Sequence, residues 1–416
     1  MKILIITGCV YAENCNRKNF TGLDYVVSDI SRTIASECDI TIFTTTPYPK
    51  SSILDDIPIK SYSYMQLLNY MDKKEILKII KKKNVSIREK MKLIRASALS
   101  YFLSNLCKKE KFDLISMQGA GHCNIMLSRA AQQNNIPVVY TLHGLLSFGA
   151  PNIDYIDKVA EIELLKYIKN HGDVLTVVSE GVKKQICEKY GISSQKVHVI
   201  NNAVKTSCVV SDRIIEQNKG ENDFINIVSV GTLCENKNQI QLVRAYNLLP
   251  ENIKKKCRIY LVGKDDSNGI IKKYIIDNKL TDSVKICGFL KKNDVERLYL
   301  NASFNVLLSI SEGFGMSMIE AAYFGIPTLT FNDLDAAHDI YSEDSMILIN
   351  DRSDKAVCEG LLKMMNRKWD SRKIRKSVNK FNENTYFQYL KIFENIFKEK
   401  MNFIDKDFTD EFVVKI

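Results

Sequence analysis

The sequence predicts an α/β protein of two successive doubly wound units, each a parallel sheet with helices on both faces. Three observations predict it. Apolar runs such as Ile225-Asn226-Ile227-Val228-Ser229-Val230 lack the strict alternation of a half-exposed strand, as strands buried on both faces do. Longer amphipathic stretches separate these runs, which implies right-handed β-α-β crossovers. The pattern also occurs twice, on either side of a polar stretch from Asn201 to Asp223, and 416 residues suit two domains.

In chain order, the first set of strands falls near Ile3 to Ile6, Ile40 to Thr44, Leu114 to Met117, Val138 to Leu142, Val174 to Val178 and Val197 to Ile200. Met1 to Gly8 has an apolar core of only four residues and no small-residue cleavage site before Glu13. It reads as a first buried strand rather than a signal peptide, and the chain is expected in the cytoplasm. Lys73 to Lys92 interleaves Ile76, Leu77, Ile79, Ile80, Val85, Ile87 and Met91 with basic residues, as one amphipathic helical segment would.

The second set falls near Ile225 to Val230, Arg258 to Val262, Val284 to Cys287, Asn305 to Leu308, Thr328 to Phe331 and Met346 to Ile349. From Thr385 to Lys398, Tyr386, Tyr389, Leu390, Ile392, Phe393 and Ile396 recur at helical spacings, so this terminal helix must lie against something. The expected domains are 1–205, a linker 206–222, a second domain 223–383, a helix 384–400 returning to the first domain, and a tail 401–416.

Composition narrows the function classes. At 45% hydrophobic and 26% charged, the chain is neither collagen-like nor disordered. Its eleven cysteines are odd in number and include no C-x-x-C pair, so they read as free thiols in a reducing compartment. The five histidines lie far apart with no zinc spacing, and no metal is expected. No apolar run approaches the ~18 residues that span a bilayer. The net charge of +10 admits nucleic acid, an anionic membrane surface or phosphorylated substrates. Nucleic acid is disfavoured, because no binding motif accompanies the charge. The basic segment 73–92 is either a solvated helix face or a docking face for anionic lipid.

Ligands of doubly wound sheets sit at the carboxyl ends of the strands. There the strongest signal lies, Ser311-Glu312-Gly313-Phe314-Gly315-Met316-Ser317-Met318-Ile319-Glu320, directly after the strand Asn305 to Leu308. The glycines let backbone approach a ligand, and the amides of a helix opening near Ser317 suit a phosphate. Glu312 and Glu320 are acceptors that pair naturally with sugar or ribose hydroxyls. The alternative reading of the pair is two helix-flanking acids favoured by the macrodipole. A dinucleotide fingerprint is a poor fit, since its third glycine position is Met318.

The segment resembles the E-x7-E motif of retaining GT-B glycosyltransferases of family 4. Ala321-Ala322-Tyr323-Phe324-Gly325-Ile326-Pro327-Thr328 is similar to the family's helix that ends in Gly before a Pro-led strand. Gly231-Thr232-Leu233-Cys234-Glu235-Asn236-Lys237-Asn238 resembles its donor-phosphate loop. Tyr140-Thr141-Leu142-His143-Gly144, Val178-Ser179-Glu180 and the stretch Val197 to Val204 look like first-domain segments of the family.

The resemblance implies two Rossmann-like domains facing each other across a cleft, and retaining transfer from a nucleoside diphosphate sugar without cofactor or metal. It assigns Glu312 to the donor sugar and Glu320 to the ribose. Phe314, Gly315, Met316 and Ser317 would cradle the diphosphate, with Gly231 in the facing loop. Lys237 would neutralise the leaving phosphate, and His143 would face the donor sugar or the acceptor. Gly22 matches a glycine loop near the donor phosphate. The family usually carries Arg where Thr232 stands here, and Lys264 is the nearest substitute. The implied acceptor is a glycan or a lipid-diphosphate-linked glycan of cell-surface polysaccharide assembly. A nonenzymatic nucleotide-sugar binder and an epimerase of related architecture remain the alternatives.

Overall fold

The computed structural model describes residues 1–12, 20–47, 53–83, 85–147, 151, 153–171, 174–206 and 224–398. Its contacts divide the chain into two units. Residues 1–148, 152–201 and 383 onward form one, and residues 149–151 and 202–382 the other. Residues 207–223, which hold most of the expected 206–222 linker, and those from 399 on lie outside the described residues.

The first unit holds β1 (Lys2–Thr7), β2 (Asp39–Thr44), β3 (Ile53–Leu54), β4 (Ile57–Lys60), β5 (Leu114–Gln118), β6 (Val138–Leu142), β7 (Leu175–Val177) and β8 (Val197–Val199). They lie in the order β3-β4-β2-β1-β5-β6-β7-β8, parallel except for the β3–β4 pair. β1 is the centre, pairing Ile3 with Ile40 on one side and with Leu114 on the other. Ile3, Leu4, Ile5 and Ile6 are all fully buried, which is why no alternation shows in the sequence. The short edge pair β3–β4 has no sequence signal, because two to four residues are too few for periodicity and Pro58 speaks against a strand.

The helices of this unit are α1 (Gly22–Ala35), α2 (Tyr64–Leu68), α3 (Lys73–Ile80), α4 (Ile87–Glu110), α5 (His122–Gln133), α6 (Tyr155–His171) and α7 (Glu180–Tyr190). The expected single helical segment over 73–92 is in fact two helices. Asp72 caps α3, and Ser86 opens α4 with a capping box closed by Glu89. Those hydrogen bonds from Ser86 hold the Glu89 carboxyl below its ordinary range. The chain returns to this unit at its far end. A 3-10 turn, Glu383–Phe387, precedes the helix Gln388–Lys398, which buries Tyr389, Phe393 and Ile396. Burial pushes the Tyr389 hydroxyl well above its ordinary value, and hydrogen bonds with Thr141 and Thr176 of β6 and β7 pull it only part of the way back.

The second unit is a six-stranded parallel sheet of β9 (Ile225–Val230), β10 (Cys257–Val262), β11 (Val284–Gly288), β12 (Phe304–Leu307), β13 (Thr328–Phe331) and β14 (Met346–Ile349), in the order β11-β10-β9-β12-β13-β14. Strand order reverses between β9 and β12, the topological switch point where such sheets bind ligands. The two strands pair only through Ile227↔Phe304 and Val228↔Asn305. The loops that follow them are therefore the ones to inspect.

Candidate active site

The loop after β9 runs from Gly231 to Asn238, and the loop after β12 from Leu308 to Gly315. Asn236 ties them together. Its carbonyl accepts from the Ile310 amide at 2.8 Å. Its side chain accepts from the Ser311 amide at 3.2 Å and donates to the Ser311 carbonyl at 3.0 Å. This ladder sets the next residues side by side. The Lys237 ammonium pairs with the Glu312 carboxylate, and the buried Ser309 hydroxyl donates to the same oxygen at 2.6 Å. Lys237 and Glu312, 75 residues apart in sequence, thus form one unit of charge at the switch point.

Gly315 follows with φ +87°, a left-handed start to the helix Met316–Tyr323 that no side chain caps among the described residues. The Ser317 carbonyl accepts from Tyr299 and from Asn305, both buried and both at 3.4 Å, so the helix start is anchored from beneath. Phe314 is buried edge-to-face on Phe381, with ring centroids 5.4 Å apart. Glu320 stands one turn along the helix and is half-buried. Burial and then the nearby Glu320 charge push the Tyr299 hydroxyl well above its ordinary value. On the facing side, the buried Gln239 donates to the carbonyls of Gly231 (3.3 Å) and Thr232 (3.2 Å). Gly263 has to be glycine, because a Cβ there would lie 2.1 Å from the Gly231 carbonyl oxygen. Lys264, the substitute cation for Thr232, is 53% exposed and pairs with Asp266 at 2.6 Å, so its charge is already engaged.

The second unit therefore gathers Gly231, Thr232, Lys237, Glu312 and the 314–320 helix start around one switch point. His143 and Gly22 belong to the first unit. Its own switch point lies between β1 and β5, and Gly22 opens α1 after β1, behind a capping box of Thr21 with Asp24. A Cβ on Gly22 would meet nothing within 4 Å, so sterics alone do not require glycine there. His143 follows β6, and its Nε2 lies 2.7 Å from Gln118 Oε1. The Gln118 amide nitrogen donates to Ser116 at 2.8 Å, which fixes that orientation and makes Nε2–H the donor. His143 Nδ1 is buried with no partner, and burial pushes the imidazole down to about 4. It is neutral near pH 7.

Sequence reasoning gave no role to Asn236, Ser309, Gln239 or Tyr299. Only Asn236 carried a signal, its place directly before Lys237. Among the described residues, no group of three or more His, Cys, Asp or Glu comes together as a metal site.

The fold and this site define a class, the two-sheet GT-B glycosyltransferase architecture. The glycosyltransferase family 4 description matches residues 20–207, and glycosyl transferases group 1 matches residues 210–386. The chain belongs to family 4 of the GT-B glycosyltransferases.

The O-antigen chain mannosyltransferase RfbU of Salmonella typhimurium is 29% identical over 214 residues, 50% of this chain and 55% of that protein. A Campylobacter jejuni N-acetylgalactosaminyltransferase, named for a diphospho-undecaprenol acceptor, is 23% identical over 49% of this chain and 53% of its own length. The chain spans about half the length of these curated relatives. Among solved structures, sucrose-phosphate synthase of Thermosynechococcus elongatus superimposes with a TM-score of 0.74 at 16% identity, covering 96% of this chain and 99% of that one. Anabaena HepE, in complex with UDP and glucose, gives 0.71 at 16% identity, covering 95% and 99%.

Proposed function

We propose that the chain transfers a hexose-type sugar from a nucleoside diphosphate sugar to a glycan or lipid-diphosphate-linked acceptor in polysaccharide assembly, with retention and without a metal. One observation carries the reading. The Lys237–Glu312 pair, tied by Asn236 and Ser309, stands at the second sheet's switch point beside a glycine-led helix start.

Breaking the bond between the anomeric carbon and phosphate leaves an anionic diphosphate and an oxocarbenium-like sugar. The protein has to hold both and keep water out. Lys237 supplies the positive charge, and the amides of the 316–323 helix start meet the phosphate oxygens. Glu312, an acceptor only, takes sugar hydroxyls, and Glu320 takes the ribose. Retention then follows from attack by the acceptor on the face the diphosphate leaves, its proton passing to the departing phosphate oxygen. A glycosylated Glu312 trapped with a slow fluorinated donor would refute that step. The relatives named for mannosyl and N-acetylgalactosaminyl transfer, and the HepE structure holding UDP and glucose, support the substrate class. The test is nucleoside diphosphate release with acceptor present, which E312A, and at subsaturating donor E320A, should greatly reduce while both proteins stay folded. The engaged Lys264 beside Thr232 favours a second reading, a binder without turnover. A donor that binds but is never cleaved would select it.

A peripheral association with the cytoplasmic membrane face fits this acceptor. No helix among the described residues is long and apolar enough to cross a membrane. Tyr64, Met65 and Leu68 of α2, Leu77 and Ile80 of α3, and Ile87 at the start of α4 are each more than half exposed. Nine Lys and Arg against two Glu lie between 73 and 92. Of the two acids, Glu75 is buried against Arg129 and Ser97, which leaves Glu89 as the one surface carboxylate of the segment. Each basic residue near an anionic bilayer contributes ~1 kcal/mol. Failure to sediment with vesicles containing anionic lipid at low salt would reject this face.

A further inference from the structure

Arg95 lies on α4 at helical spacing from exposed Arg88 and Met91, where that apolar and basic face turns inward. Two other arginines of the first unit have carboxylates: Arg129 pairs with Glu75 at 2.5 Å, and Arg32 with Asp29 and Asp55. Among the described residues no carboxylate pairs with Arg95, and its Nε is buried without a hydrogen-bond partner. Its hydrogen-bond partners are neutral, Tyr64 and Cys123, with Tyr62 alongside.

The surroundings place it on the ligand side of the sheet. Tyr62 donates to the carbonyl of Thr45, the residue after β2, at 2.8 Å, and Cys123 is the second residue of α5, which follows β5. The carboxyl ends of β2 and β5, the two neighbours of β1, therefore flank the guanidinium. Tyr64, 62% exposed, stands edge-on to Tyr62 with ring centroids 6.2 Å apart, and joins this place to the α2–α4 face. A half-buried guanidinium held only by neutral partners keeps its charge uncompensated, so an anion arriving from outside would find it unopposed. Its planar fork matches phosphate oxygens; the Tyr64 hydroxyl can add a donor, while Tyr62, whose proton is on the Thr45 carbonyl, forms the wall.

We propose that Arg95, with Tyr62 and Tyr64, forms a site for the phosphate or diphosphate group of a lipid-linked acceptor, whose hydrocarbon lies along the α2–α4 face. The ligand's identity rests on the glycosyl-transfer reading, but the test reads binding, so the two fail separately. Flotation of the full chain is measured with phosphatidylcholine vesicles carrying either a polyprenyl diphosphate or phosphatidylglycerol at matched charge. Wild-type protein should favour the diphosphate vesicles. R95Q should lose roughly tenfold or more of that binding, the scale of a charge-assisted contact, while holding phosphatidylglycerol as before. R95K should retain part of the preference. Equal binding of R95Q and wild type to diphosphate vesicles overturns the site. Parallel loss on both lipids also overturns it, since the residue is then one more diffuse charge. If R95Q does not fold, inorganic diphosphate must release wild-type protein from diphosphate vesicles but not from phosphatidylglycerol. Equal release, or none, overturns the proposal.

Discussion

Replacing Glu312 by Gln separates what the Lys237 pair does for stability from what it does for turnover. Breaking a fully buried ion pair costs ~3–5 kcal/mol, because the survivor is stranded without water. Here the survivor would be Lys237, whose side chain is 26% exposed, against 10% for Glu312. The ammonium rehydrates, and Gln keeps the Ser309 contact, so the stability loss falls to roughly 1–2 kcal/mol. That amounts to a shift of only a few degrees in melting temperature for a unit of this size. Turnover should respond more strongly. Losing a preorganised polar contact to the reacting sugar costs on the order of 10²–10³ in kcat, or ~3–4 kcal/mol. The assay is release of nucleoside diphosphate with acceptor, run beside a melting curve. K237A should reverse the balance on the stability side, because it strands the more buried partner. Wild-type turnover in folded E312Q, or a larger melting shift in E312Q than in K237A, would refute the reasoning.

E320A should raise the donor KM about tenfold or more, with a smaller change in kcat, as expected for a contact to the ribose rather than the reacting centre. An unchanged KM argues against that role. G263A should destabilise the second unit far more than G315A. At 263 the added carbon meets backbone oxygen at 2.1 Å, whereas at 315 it meets the flexible end of Met318 at 2.3 Å, and urea midpoints decide. His143 titrates near 4 when folded and near 6.5 when unfolded, so the unfolded chain binds the extra proton first. Its contribution is complete above about pH 6.5 and is lost as pH falls toward 4, by at most ~3 kcal/mol. H143Q should flatten that slope, and a slope identical to wild type would exclude His143 as its source.

Both sheets were legible because a doubly covered strand writes itself as a local apolar run, and Ile225 to Val230 or Ile3 to Ile6 need no distant partner to be read. The break at Ser86 was hidden, because a capping box inside a long basic stretch leaves the hydrophobic spacing on either side intact. Glu312, Glu320 and Lys237 stood out by motif. Their coupling did not, since Asn236 and Ser309 act through hydrogen bonds between loops some 75 residues apart. The apolar face of residues 385–398 read in sequence as a helix returning to the first domain, but nothing local named the strand residues it meets, Thr141 and Thr176.

That closing segment orders events during synthesis. The first sheet's last strand ends at Val199, yet the aromatic side chains that cover Thr141 and Thr176 arrive only with Tyr389. At ~5–20 residues per second, a ribosome leaves the nascent sheet without this cover for roughly 10–40 s. The second unit, continuous in sequence from 224 to 382, is synthesised within that interval and is whole just before it ends. The N-terminal half is thus the part exposed to chaperones and proteases while translation finishes.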